Sequence, residues 1–62
     1  MKFLKLTDDE SSLGVLINIE EIEAIEDEGG PTTIVFRSGR TLLVAESFAG
    51  IFDALAGAGR VI

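Results

Sequence analysis

The chain has 62 residues, of which 47% are apolar, and it contains no cysteine and no histidine. This length allows one domain, and the missing residue types exclude disulfides and any zinc site built from cysteine or histidine. The formal net charge is −6, which phosphate backbones and anionic membranes repel, so we expect neither nucleic acid nor membrane as a partner.

The first third of the chain predicts a β-hairpin. Residues 2–7 (KFLKLT) form a short first strand, and residues 8–12 (DDESS) form a polar turn. Residues 13–18 (LGVLIN) form the second strand, with Leu13, Val15 and Ile17 on one face and Leu16 on the other. The loop of about five residues is compatible with antiparallel pairing of the two strands.

The next segment predicts a capped turn followed by a third strand. Asn18 is a suitable N-cap, and Glu21 at the third position after it matches a capping box. Residues 23–26 (EAIE) resume as a strand with Ile25 directed inward. Residues 27–31 (DEGGP) contain two glycines and the proline, which indicate a loop.

A second hairpin follows. Residues 32–37 (TTIVFR) are the clearest strand, because they are largely β-branched or aromatic. Ser38 and Gly39 predict a two-residue loop, and residues 40–45 (RTLLVA) return as the fifth strand.

This predicted loop determines the two faces of the second hairpin. A two-residue loop places Arg37 opposite Arg40 and Val35 opposite Leu42, and directly opposed residues share a face. One face then carries Ile34, Phe36 and Leu43, and the other carries Val35, Leu42 and Val44. Both faces of the hairpin are therefore predicted to be apolar.

The chain ends in a predicted helix and a short tail. Ser47 is a plausible N-cap, and Gly57 is placed to end the helix. One face of the helix carries the apolar stripe Phe48, Ile51, Phe52 and Leu55. We therefore expect one domain over residues 1–57 and a tail over residues 58–62, with Val61 and Ile62 exposed.

These elements predict an α+β fold that is mostly β: an antiparallel meander of about five short strands followed by one short C-terminal helix. One helix covers one sheet face, and a second subunit is the economical cover for the other. Alternatively, the sheet curls into a small half-barrel and covers itself. The predicted interface consists of Val35, Leu42, Val44, Val61 and Ile62, together with Arg37 and Arg40 facing acidic residues of a neighbouring subunit within 20–28.

No residue set predicts catalysis or a bound cofactor. The acidic clusters at residues 8–10 and 20–28 lack the alternating ligands of a calcium-binding loop, and solvated turns explain them better. The serines have no histidine partner, and the glycines at 57 and 59 follow the helix rather than precede it. We expect no catalytic, metal or cofactor residues, and no enzyme.

The span from Lys2 to Leu55 resembles the small flagellar and swarming-motility protein family of the FlbD type. The resemblance lies in MKFLKLT, LINIEEIEAIE and TTIVFRSGRTLLVAESFAGIF, where Val44, Glu46 and Ser47 lead into the helix. It implies a small, cytoplasmic, non-catalytic protein tied to motor function. This chain is more acidic, and Ala49 and Gly50 stand where that family tends to be charged. The same pattern recurs in related small bacterial and phage β-meander proteins.

A second resemblance covers residues 19–48, which are similar to the strand core of LytTR-type DNA-binding domains. Those domains are longer and use basic loops to reach DNA, whereas this chain is short and acidic. The resemblance implies a shared architecture with vestigial nucleic-acid binding.

The sequence therefore predicts a small, non-enzymatic structural or protein-interaction module that self-associates. The alternatives are a flagellar accessory protein and a LytTR-like core. We expect a cytoplasmic location, because the start MKFLKLTDDE does not match a secretion signal and no apolar run approaches the length of a membrane span.

Overall fold

A computed structural model describes residues 2–59 of the chain. The elements in chain order are β1 (Phe3–Thr7), β2 (Gly14–Asn18), a 3-10 turn (Ile19–Glu21), β3 (Ile22–Glu26), β4 (Thr32–Phe36), β5 (Thr41–Val44) and α1 (Phe48–Gly57). The predicted fold class is confirmed: five antiparallel strands are followed by one C-terminal helix. Within the described residues, no helix has both the length and the apolar character needed to cross a membrane.

The strands form two sheets that meet at one end. β1 pairs with β2, and β4 lies between β3 and β5. A bridge between Asp8 and Val44 joins the sheets, and the Ala45 N–H donates to the Thr7 carbonyl at 2.8 Å. The spatial order is therefore β2-β1-β5-β4-β3, which leaves β2 and β3 as the two edge strands.

The two sheets and the helix share one hydrophobic core. Its buried apolar residues are Leu6, Ile17, Ile34, Val44 and Ile51. Leu6 and Ile17 come from the β1–β2 hairpin, so this hairpin helps to cover the inner face of the β3–β4–β5 sheet. Part of the cover of this sheet therefore comes from the same chain.

The predicted register of the β4–β5 hairpin is wrong by one residue. The Phe36 N–H donates to the Arg40 carbonyl and the Gly39 N–H donates to the Phe36 carbonyl, both at 2.9 Å, so the loop spans residues 37–39. A two-residue type I′ loop needs positive φ at both central residues, and only Gly39 in this loop has it, at 94°. The chain therefore adopts a three-residue loop that ends on a left-handed glycine.

This shift moves the residues of β5 to opposite faces. Ile34 lies opposite Leu42, and Thr32 lies opposite Val44. Val44 is fully buried and Leu42 is half-buried against the core, whereas Val35 lies on the outer face. Val35, Leu42 and Val44 therefore do not form the single surface that the sequence predicted, because a one-residue slip exchanges the two faces of a strand.

Glu46 connects the two sheets by hydrogen bonds at their junction. Its side chain accepts hydrogen bonds from the Thr7 N–H at 2.8 Å and from the Thr7 hydroxyl at 2.9 Å. Its carbonyl accepts a bond of 2.8 Å from the hydroxyl of Thr32, the one buried polar residue within 2–59. The Thr7 backbone N–H is the main cause that holds the pKa of Glu46 below its ordinary value, against the opposing effect of desolvation.

The helix begins and ends as predicted but packs differently. The Ser47 hydroxyl accepts a bond of 3.0 Å from the Gly50 N–H, which caps the first turn. Within α1 only Ile51 is buried, and the Phe52 side chain is 48% exposed. The prediction that all four residues of the stripe pack inward is therefore wrong, because α1 lies beside β3 and leaves a groove there.

Candidate interaction surface

The predicted interface residues do not come together. Arg40 is exposed, Val35 is half-buried, and Val44 belongs to the core. Val61 and Ile62 lie outside the described residues.

Arg37 contacts its own chain rather than a paired arginine. Its Nε donates to the Glu20 carbonyl at 2.7 Å, and its backbone N–H donates to the Glu21 carbonyl at 2.9 Å. The expected opposition of Arg37 and Arg40 is wrong, because Arg37 lies in the loop and Arg40 pairs with Phe36. Arg37 therefore connects the second hairpin to the 3-10 turn by hydrogen bonds. The residues of the acidic segment that it contacts belong to its own chain, whereas the sequence predicted a contact with a neighbouring subunit.

Large apolar side chains remain exposed on several elements. They are Phe3, Leu13, Leu16, Leu43, Phe48 and Phe52. Within residues 2–59 these six are exposed, five apolar residues are buried, and seven more are partly buried against the core. An isolated exposed apolar residue is ordinary, whereas neighbouring ones mark a surface that a partner covers.

Two of the exposed residues lie together on the outer face of the β1–β2 hairpin. Phe3 is opposite Asn18, and Lys5 is opposite Leu16, so all four residues share a face. Phe3 is 54% exposed and Leu16 is 65% exposed. The alternation of β2 predicted the orientation of Leu16. The exposure of Phe3 was not predicted. Its position two residues before Lys5 was an available signal, because residues two apart in a strand share a face.

The free edge of β2 presents unpaired backbone groups. The Ile19 N–H donates to the Lys2 carbonyl at 3.1 Å, and the Asp8 N–H donates to the Leu13 carbonyl at 2.9 Å. Because hydrogen-bonded pairs alternate along an antiparallel ladder, these bonds orient every second residue of β2 toward β1. The remaining residues direct their N–H and C=O groups away from β1, and they are Gly14, Leu16 and Asn18. Within residues 2–59, β2 pairs with β1 alone, so the outward N–H and C=O groups of Leu16 have no strand partner, whereas the Asn18 carbonyl, as that of an N-cap, accepts the first bond of the 3-10 turn.

A groove runs beside this edge, and we call it the β2 groove. It has a volume of about 380 Å³. The strand forms one wall and the tip of the β4–β5 hairpin contributes to the other. Its lining residues are Val15, Leu16, Ile17, Asn18, Glu21, Phe36, Ser38, Arg40 and Leu42. The edge and the groove together match what an added β-strand requires: backbone partners and space for alternate side chains.

The other sheet edge differs from β2. β3 carries Glu23 and Glu26, and its pairing with β4 is irregular between Ile22 and Ala24. Charges and bulges are features that protect an edge from pairing with another chain. β2 contains no charged residue and pairs with β1 in unbroken register.

Residues 2–59 contain no group of three or more acidic side chains placed to hold a metal ion. Within the same range, no buried side-chain nitrogen or oxygen lacks a hydrogen-bond partner. The low pKa of Glu46 has a structural cause in Thr7 and does not point to a proton-transfer role.

Comparison of the chain with protein-family models, curated proteins and solved structures finds no match in any of the three. The resemblances to the flagellar family and to the LytTR-type core stay predictions.

Proposed function

We propose that this chain is a small, non-enzymatic protein-interaction module that self-associates. The observation that supports the proposal is the position of the exposed apolar residues: within residues 2–59, six large apolar side chains are exposed, and Phe3 and Leu16 share one face of the β1–β2 hairpin. Their position on the outer face of the β1–β2 hairpin and beside α1 gives contiguous apolar patches rather than isolated residues. Such patches are the usual feature of a surface buried by another protein chain.

The size of the chain supports the same proposal. A domain of this length buries only about 60% of the surface that its unfolded chain exposes, so it commonly needs a disulfide, a metal or a partner subunit. The sequence has no cysteine and no histidine. A partner subunit supplies the missing burial, and a second copy of the chain is always available. The proposal includes a cytoplasmic location, which rests on the sequence alone.

The concentration dependence of thermal unfolding tests the proposal. A folded state that associates is stabilised by mass action, so its melting temperature rises with protein concentration. We expect a rise of several degrees between about 1 µM and about 100 µM in circular dichroism melts. A melting temperature that stays constant over this range contradicts self-association.

A further inference from the structure

We propose that two copies of the chain pair antiparallel through their β2 edges, about a two-fold axis that passes beside Leu16. The result is one continuous four-stranded sheet in the order β1-β2-β2-β1. This inference rests on the proposed self-association and identifies the surface that carries it.

The orientation of the backbone groups supports this register. Gly14, Leu16 and Asn18 direct their N–H and C=O groups outward, and they are evenly spaced about Leu16. A two-fold axis at Leu16 places it opposite the partner's Leu16 and places Gly14 opposite the partner's Asn18. The two Leu16 residues then exchange both of their N–H···O=C bonds, and each Asn18 N–H meets the partner's Gly14 carbonyl, as in any antiparallel ladder. The Asn18 carbonyl also accepts the first bond of the 3-10 turn, so the partner's Gly14 N–H shares this acceptor.

The side chains agree with the same arrangement. On the outer face, the pairing brings Leu16 against the partner's Leu16, and Phe3 extends this apolar strip outward on each side. On the inner face, the added strand lies along the β2 groove, where Phe36 and Leu42 contribute apolar lining. Pairing of the edges therefore places an apolar neighbour beside the most exposed side chain of β2 in the same step.

Charge favours the β2 edge over the β3 edge as the place where two copies pair. Each chain carries a net charge of −6, so two copies approach with least repulsion through elements that lack acids. β1 and β2 contain no acidic residue, and β1 contributes Lys5. Pairing of β2 with the partner's β3 instead brings an acidic, irregular edge into contact, and it is a heterologous contact that generates rings or open filaments rather than a two-fold dimer.

The test uses substitutions at the axis and one matched control. Leu16→Lys places two like charges directly opposite each other in the dimer, but it also lies opposite Lys5 in the same chain. Leu16→Glu lies opposite Lys5 without that repulsion and still places like charges across the axis, so weakening of both variants separates the dimer effect from the effect within the chain. Leu43→Lys introduces the same change at an exposed residue on the outer face of the other sheet. We expect L16K to weaken the dimer by about tenfold or more in sedimentation velocity and L43K to leave its dissociation constant unchanged. Circular dichroism confirms that both variants are folded.

A mixing experiment tests the two-fold register itself. Residue 16 meets its own copy only if the axis lies beside it, so L16K and L16E should each be weakened. An equimolar mixture of L16K with L16E places opposite charges across the axis and should recover association as a mixed dimer.

Three outcomes contradict the proposed assembly at different points and are distinguishable. Wild-type protein that is monomeric throughout overturns the proposed function and this inference together. Wild-type protein that associates while L16K does so equally well overturns edge pairing and leaves self-association standing. L16K and L16E that are both weakened but do not recover on mixing overturn the two-fold register, and this result points to an extended segment of another kind at β2.

Discussion

Glu46 shows how one side chain connects two sheets. Its carboxylate binds both the backbone N–H and the hydroxyl of Thr7, and its carbonyl binds the buried Thr32 hydroxyl. These bonds link the end of β1 to the segment that follows β5 and to the start of β4. The residue therefore connects the two sheets by hydrogen bonds where they meet.

We expect Glu46→Gln to lower the free energy of unfolding by about 1 kcal/mol, because a neutral amide is a weaker acceptor for the two Thr7 donors. The half-exposed position of the carboxylate keeps the effect toward the lower end of the range for bonds to charged groups. Urea denaturation measures this change in the free energy of unfolding. Glu28→Gln is the matched control, because this residue is exposed in a loop, and an equal loss there contradicts the role of Glu46.

The low pKa of Glu46 gives this contribution a pH dependence with a definite sign. A carboxyl whose pKa is lower in the folded state stabilises the fold at pH values above its unfolded pKa. The contribution is lost as the pH falls through the folded pKa, when the carboxylate is protonated in both states. Urea midpoints of wild type and E46Q should therefore differ at about pH 7 and converge as the pH falls through the folded pKa of Glu46. A difference that does not change with pH contradicts this assignment.

At the scale of single elements, the loop of the β4–β5 hairpin sets the composition of both sheet faces. Gly39 has a φ of 94°, a conformation that residues with a Cβ adopt only with strain. It ends the three-residue loop that brings Leu42 and Val44 to the core face. The register of β5 therefore depends on one glycine.

We expect Gly39→Ala to destabilise the protein by about 1 kcal/mol, since the added Cβ strains the left-handed conformation. Gly30→Ala is the control: Gly30 has no positive φ, and a Cβ added there would have no neighbouring atom within 4 Å. Urea denaturation of both variants provides the comparison. Equal stability of G39A and wild type is incompatible with the three-residue loop.

The packing of α1 gives a second prediction at the scale of single elements. Ile51 is buried and Phe52 is about half exposed, although the sequence places both on the same stripe. We expect Ile51→Ala to cost about 2–5 kcal/mol, as deletion of a buried aliphatic side chain does, and Phe52→Ala to cost about 1 kcal/mol in the monomer. Thermal and urea unfolding at low protein concentration measure the loss of stability in each of the two variants. A larger loss for F52A than for I51A contradicts the packing of α1.

The same elements show what the sequence predicts and where it fails. Periodicity, capping residues and glycines identify every strand and the helix, because these signals act within a few residues. The register of β5 was wrong because Ser38 and Gly39 are compatible with two loop lengths, and only the φ requirements of the loop distinguish them. Phe52 was misplaced because the stripe predicts which side of a helix packs, not how much of that side the sheet covers.

The candidate interaction surface was also predictable only in part from the sequence. The orientation of Leu16 was predictable from alternation along β2, since a strand exposes every second residue. The open edge was not predictable, because it depends on the spatial order of the strands and on the Asp8–Val44 bridge between distant segments.

At the scale of the whole molecule, the chain closes a core but leaves much of its apolar surface in water. The β1–β2 hairpin, the second sheet and Ile51 enclose the core within one chain. The outer face of the same hairpin and the free edge of β2 remain uncovered, and both are free of acidic residues in an acidic protein. Self-association is therefore proposed to act through an outer surface and not, as the predicted hairpin register indicated, through Val44 in the core.

Sedimentation equilibrium over micromolar to millimolar concentrations tests self-association most directly, because it reports molar mass without reference to shape. The chain has a mass of 6.6 kDa. We expect the apparent mass of the wild-type protein to rise toward twice this value with concentration, and L16K to stay near the monomer mass where L43K does not. A wild-type mass of 6.6 kDa at every concentration contradicts self-association.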